Sequence, residues 1–164
     1  MEKFLDKLEQ YNIFNYLLPG IVFTYLLKYY VGIDIFQSNV VVMFFIYYFI
    51  GSIISRVGSV IIEEFLKKIQ FVKFANYKDY VSATKEDSFI KKLLVDSNMY
   101  RTICAGFLSI LVLKSIKVLI DYFNWSQNVI ITIILILGFA LYLFSYKKQI
   151  KFIYERVNII KDKK

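Results

Sequence analysis

The sequence predicts an all-α membrane protein with four transmembrane helices, a helical cytoplasmic insert and a cytoplasmic C-terminal helix. Three observations predict it. The chain is 58% hydrophobic and 19% aromatic with a mean hydropathy of +0.53, too apolar for a soluble domain of 164 residues. Four apolar segments fall near residues 13–31, 40–62, 102–120 and 129–146, and each is close to the ~20 residues that cross ~30 Å of hydrocarbon as a helix. Their apolar residues do not alternate with polar ones, which argues against a barrel. Backbone groups in lipid must be satisfied within the segment, which leaves helices.

The N-terminal stretch, MEKFLDKLEQ, mixes both charge signs, and no small-residue cleavage site follows the first apolar run. It is read as mature protein rather than as a signal peptide. Segment 13–31 holds the only proline, in NYLLPGIVF. Pro19 removes an internal hydrogen bond and Gly20 loosens the chain beside it, so a static kink is expected, with a gating hinge as the other reading. Asn12 and Asn15 precede it at the interface, where a cap is the simpler role.

Segment 40–62 ends in GSIISRVGSVIIEE, running on to Glu64. Gly51, Ser55 and Ser59 fall four apart on one face, flanked by Ser52 and Gly58, and small residues so spaced let helices approach closely. Arg56 lies beside that stripe, and Glu63 is on the face of Arg56, about 10 Å along the axis. Two readings stand. Either the membrane ends near Ser55 and Arg56 snorkels to the interface with the glutamates in water, or residues 56–62 remain at membrane depth. In the second case Arg56 faces the bundle interior or a water-filled path and needs a carboxylate, Glu63 or the Glu64 of a second copy.

The organisation reads as residues 1–62 (interfacial segment and first two spans), 63–101 (insert), 102–146 (last two spans) and 147–164 (basic tail helix). The insert is expected to form two or three short amphipathic helices, one capped by Asn76 and the next by Asp87 or Ser88 before FIKKLL. It has too few apolar residues for a core of its own. Lys114, Lys117 and Asp121 form one stripe near the outer end of the third span, read as a salt bridge with snorkelling or as a charged pore lining. No glycine or proline separates the fourth span from the tail, so one long helix is expected. Tyr146, Ile150, Ile153, Val157 and Ile160 are spaced as a seam of about two heptads, which packs either on the insert or between identical subunits.

Lysine and arginine set the orientation. The stretches 1–12, 56–101 and 147–164 carry 18 of them, and only Lys28, Lys114 and Lys117 lie near the other ends. This puts both termini in the cytoplasm, with Tyr29, Tyr30, Tyr122, Phe123 and Trp125 as an outer aromatic belt. The chain has no histidine, and its one cysteine, Cys104, lies in an apolar run and reads as a small buried hydrophobe. There is no nucleophile paired with a base, no paired carboxylates at membrane depth and no glycine-rich phosphate loop. No catalytic residue, metal ligand or cofactor is expected. The basic cytoplasmic surface is interleaved with Phe71, Phe74, Tyr77, Tyr80, Phe152 and Tyr154. Such a surface suits phosphates and stacked single-stranded bases. It also suits anionic membrane lipid, at about 1 kcal/mol per charge.

The stretches YNIFNYLLPGIVF, GSIISRVGSVIIEEFLKK and NMYRTICAGF resemble small four-span membrane effectors of bacterial antiphage systems. The similarity is to the channel effector of the Hailong system and to the membrane part of the cyclic-oligoadenylate-gated effector of type III CRISPR systems. The CRISPR effector is expected to carry a further soluble nucleotide-binding domain, whereas Lys164 lies eighteen residues past Tyr146, which favours the Hailong-like expectation. The resemblance implies a homo-oligomer, a tetramer, with an oligonucleotide or single-stranded DNA ligand on the cytoplasmic side and a nucleotidyltransferase as soluble partner. Opening would depolarise the inner membrane and arrest the infected cell.

Two function classes follow. The first is a ligand-gated pore, with Ser52, Ser55, Arg56, Ser59 and Glu63 at its cytoplasmic mouth and Lys67, Lys68, Lys147, Lys148, Lys151 and Arg156 reading the ligand. The second is a non-conducting membrane scaffold that recruits a soluble defence partner. A holin-like protein that disrupts the bilayer is a third reading.

Overall fold

The computed structural model describes residues 13–161, which form five helices and no strand. Helix α1 covers residues 13–31, α2 Val40–Lys68, α3 Tyr77–Glu86, α4 Phe89–Phe123 and α5 Gln127–Lys161. Three of them, α2, α4 and α5, are long and apolar enough to cross a bilayer. Asn12, Lys3, Lys7, Lys163 and Lys164 lie outside the described residues.

Pro19 falls at the start of an α-helical stretch, directly after a wide π-turn at Ile13–Leu17. The hydrogen-bond register therefore changes where the proline cannot donate, and α1 continues through it. Its other end closes with a second wide turn, Leu27–Val31, and Gly32 in the left-handed conformation at φ 84°. The last carbonyls of a helix have no partner within it. Here Lys114 Nζ donates to the Tyr30 carbonyl at 2.9 Å and Lys117 Nζ to the Val31 carbonyl at 3.1 Å. The lysine stripe of α4 thus caps α1, instead of pairing with Asp121 as the salt-bridge reading expects.

The following loop is pinned by its own side chains. Lys28 meets Asp34 at 2.9 Å and lies 4.7 Å from the centre of the Phe36 ring. The Phe36 N–H and the Lys28 ammonium hold the Asp34 carboxyl below the usual carboxylate range. Asn39 then caps α2, accepting from the Val41 and Val42 N–H groups at 2.9 and 3.2 Å.

Helices α1 and α2 cross backbone to backbone. A Cβ on Gly51 would lie 1.7 Å from the Tyr16 carbonyl oxygen, and one on Gly20 would lie 1.9 Å from that of Tyr47. The two glycines face opposite helices at one crossing, so neither tolerates a methyl group. Further along, Gly58 presses on α4, where its added Cβ would meet the Ala105 Cβ at 3.3 Å. The small-residue stripe is therefore spent inside one chain, on two different neighbours. Around it Phe23, Leu27, Val31, Ile54, Ala105 and Ile110 form the core, drawn from α1, α2 and α4.

Asn76 caps α3, accepting from the Lys78 N–H at 3.2 Å. Asp87, rather than Ser88, takes the orphan N–H of Phe89, at 2.8 Å. From there α4 runs for 35 residues without a break, so FIKKLL is the first part of the helix that carries the third apolar segment. The expected boundary at residue 101 has no counterpart in the backbone. No glycine or proline occurs between Phe89 and Arg101 to stop the helix.

Helix α5 is continuous over 35 residues, as its sequence led one to expect. It rests on the C-terminal half of α2 and on α3. Only 6% of its apolar stretch is buried, against 22% for α2. Among the described residues its apolar length has little protein cover, and a bilayer or another helix can supply it.

The glycine crossing generates a direct test. Gly51→Ala must push α1 and α2 apart and should cost about 1–3 kcal/mol, the usual cost of overpacking. Gly138→Ala has nothing within 4 Å of the added Cβ and should be tolerated. Unfolding of the two variants in detergent, followed by near-ultraviolet circular dichroism, checks the contrast.

Candidate functional site

Two polar constellations lie at the end of the bundle opposite the Lys114 and Lys117 caps. The first is centred on Glu63, whose side chain is 7% exposed. Its Oε1 accepts from Lys67 Nζ at 2.7 Å and from Lys148 Nζ at 3.0 Å, and its Oε2 accepts from Arg101 Nη1. One carboxylate thereby joins α2, α4 and α5. Lys148 also donates to Glu64 Oε1 at 3.0 Å and to the Ser59 carbonyl at 2.7 Å. The backbone explains that last contact. In the wide turn Gly58–Ile62 the Glu63 N–H reaches back five residues to the Gly58 carbonyl. The Ser59 carbonyl is thus released from its ordinary α-helical donor. Lys67 also stands 4.4 Å from the centre of the Phe74 ring.

Glu63 is therefore not the carboxylate of Arg56. Regular helical spacing would put the two on one face, but the wide turn Gly58–Ile62 intervenes, and Lys67 from α2, Arg101 from α4 and Lys148 from α5 already occupy Glu63. Three residues of the cluster were legible by position. Glu63, Arg101 and Lys148 each lie within two residues of one end of an apolar segment. Charges so placed are forced to one depth, and one acid among the bases becomes their common partner.

The second constellation is an open cleft of about 400 Å³ between α1, α2 and α5. Tyr16 comes from α1. Tyr48, Ser52 and Arg56 come from α2, and Tyr142, Ser145, Tyr146 and Gln149 from α5. Half-buried Arg56 makes one long contact, from Nη2 to the Tyr16 hydroxyl at 3.4 Å. No carboxylate among the described residues pairs with it. Ser52 donates to the Phe49 carbonyl at 2.8 Å and lies 3.4 Å from the Tyr142 hydroxyl. The rings of Tyr16 and Tyr48 meet edge to face at 5.4 Å.

The expected pore residues thus separate. Ser52 and Arg56 line the cleft, whereas Ser55 and Ser59 are buried within the single-chain bundle and Glu63 is engaged in the ion cluster. The expected ligand-reading residues separate as well. Lys67 and Lys148 are held by Glu63. Lys68, Lys147 and Arg156 are exposed, and exposed Lys151 lies 3.9 Å from Glu155.

The tail resolves into two neighbouring stripes. Ser145 and Ile159 are buried, Lys148 is held by α2, and Phe152, on the same stripe, meets the Tyr77 ring at 5.5 Å. The predicted seam, Tyr146, Ile150, Ile153, Val157 and Ile160, is exposed along its whole length. The tail does pack on the insert, but through the stripe beside the predicted one.

Among the described residues no group of acidic or cysteine side chains is arranged to hold a metal ion. Comparison with protein-family models, curated proteins and solved structures finds no match to this chain.

Removing one partner of a buried ion cluster leaves the others unpaired. Glu63→Gln should therefore lower stability by about 3 kcal/mol. Glu64→Gln, at a side chain 53% exposed, should cost less than about 1 kcal/mol. Denaturant titration of both variants in one detergent measures the difference.

Proposed function

We propose that this chain is a homo-oligomeric ion channel of the bacterial inner membrane and an effector of antiphage defence, gated by an oligonucleotide on its cytoplasmic side. In this reading four helices span the membrane, both termini are cytoplasmic, and α1 is the first span. One observation carries it: the seam of Tyr146, Ile150, Ile153, Val157 and Ile160 is left open after the tail has packed on the insert. Helix α5 is about 52 Å long at 1.5 Å per residue, well beyond ~30 Å of hydrocarbon. Its last turns therefore stand in water, where a continuous apolar seam calls for a copy of itself.

The conduction path then runs between copies, beside α5, at the level of Ser52 and Arg56. Exposed Lys68, Lys147, Lys151 and Arg156 supply cations for a phosphodiester chain, with Tyr154 as a stacking face. Binding shifts the closed–open balance because docked and undocked tails present different surfaces to the ligand.

The test combines mass with conductance. In detergent the wild type should be a multimer, and Ile153→Glu with Val157→Glu should yield a monomer by light scattering. In planar bilayers the wild type should conduct, with a current that responds to single-stranded oligodeoxyadenylate and loses that response as salt rises. A wild-type monomer would overturn the assembly. A multimer silent to ions with and without oligonucleotide would leave the non-conducting scaffold as the reading.

A further inference from the structure

We propose that the cleft between α1, α2 and α5 is a binding site for an anionic phospholipid of the cytoplasmic leaflet, with Arg56 holding the headgroup phosphate. The inference rests on the membrane reading of α2 and α5 and is independent of conduction, because one chain in a bilayer suffices for it.

Depth is the first argument. Counted from Val40, Arg56 lies about 24 Å along α2. Counted from Gln127, Tyr142 lies about 22 Å and Gln149 about 33 Å along α5. Two helices that start from short outer connections thus bring the cleft to the far edge of a ~30 Å hydrocarbon layer. Phosphates of the bilayer are concentrated at that level.

Charge is the second argument. A half-buried guanidinium is stable only when its donors are used. Among the described residues the one hydrogen-bond partner of Arg56 is the Tyr16 hydroxyl, at a long 3.4 Å. The nearby carboxylates are committed, since Glu63 and Glu64 are bridged by Lys148 and Lys67. Among the described residues, the positive charge of the cleft is therefore uncompensated. A phosphodiester matches the guanidinium fork with two parallel hydrogen bonds.

The walls are the third argument. The Tyr142 hydroxyl lies 3.4 Å from that of Ser52 in the same cleft; Tyr142 can turn its proton to an ester oxygen, and the Ser52 oxygen, whose proton goes to Phe49, can accept from a glycerol hydroxyl. On the same two helices, one to three residues in sequence from the cleft-lining Tyr48, Ser52, Tyr142 and Ser145, Phe45, Phe49, Leu143 and Phe144 are exposed, an apolar surface for acyl chains. A free phosphate would use the guanidinium but not these faces. A lipid uses both. The surplus charge of the site selects a lipid with net negative charge over a zwitterionic one.

The test is retention of lipid by the intact chain. Nanodiscs of equal phosphatidylglycerol and phosphatidylcholine are disrupted in the mass spectrometer, and the lipid still bound is counted. Wild type should retain phosphatidylglycerol in preference. Arg56→Met should lose about tenfold in that retention, the worth of one charge-assisted hydrogen bond, and Arg56→Lys should recover part of it. Tyr142→Phe removes a single hydroxyl, keeps the fold readable if the arginine variant fails, and should weaken retention severalfold. Inorganic phosphate at millimolar concentration should not displace the lipid. Equal retention by Arg56→Met, no preference between the lipids, or displacement by inorganic phosphate would each overturn the assignment.

Discussion

The carboxylate of Glu63 is the interaction on which the rest of this bundle depends. Helices in lipid gain little from burying apolar surface against each other, because the lipid tails are equally apolar. Helix α5 shows the consequence, since most of its length is bare. What ties it to α2 is polar: Lys148 reaches Glu63, Glu64 and the Ser59 carbonyl at once. The same carboxylate takes Arg101 from α4. A single acid thus fixes the relative positions of three long helices at one depth, which apolar packing alone would leave loosely specified. Buried ion clusters are often no more stabilising than an apolar replacement. Their value here is positional.

Packing between α1 and α2 follows the opposite strategy. Gly20 and Gly51 remove side chains so that the two backbones touch, and dispersion forces over that close contact take the place of a hydrophobic drive. The wide turn Gly58–Ile62 links the two strategies. It lets Gly58 press on α4 while diverting the Glu63 N–H and freeing the Ser59 carbonyl for Lys148. The motif GSIISRVGSVIIEE is therefore divided by neighbour: Gly51 to α1, Gly58 to α4, Ser59 and Glu63 to α5, and Arg56 to the cleft.

Much of this was legible in the sequence because it depends on local rules. Apolar length marked the long helices, and oxygen-bearing side chains before helical runs marked the caps at Asn76 and Asp87. The continuity of α5 followed from the absence of glycine and proline. Choices between partners were not legible. Helical spacing put Glu63 on the face of Arg56, yet spacing cannot weigh cations arriving from α4 and α5. Lys114 and Lys117 were spaced like a salt-bridging stripe with Asp121, but the orphan carbonyls of α1 are better acceptors at that site. The tail carried two adjacent stripes, and heptad spacing selected the more apolar one. The structure uses the other because Lys148 and Phe152 have partners waiting on α2 and α3.

These facts make the two ends of the bundle mechanically different. At one end α1 is locked to α4 through backbone carbonyls held by Lys114 and Lys117, an attachment that no solute can exchange without unmaking a helix terminus. At the other end α5 is attached through ions, and an ion can be exchanged for another ion. An anion that reached Lys148 would compete with Glu63 and Glu64 for the same ammonium group. On α5 it would face that competition only there, because Lys147 and Lys151 next to it are not held by α2. If the tail moves, the sequence of attachments dictates how: the contact at Lys148 loosens first, and the glycine crossing of α1 and α2 stays closed. The exchangeable attachment thus lies at the base of α5, where the stripe that is packed and the seam that is open share one helix.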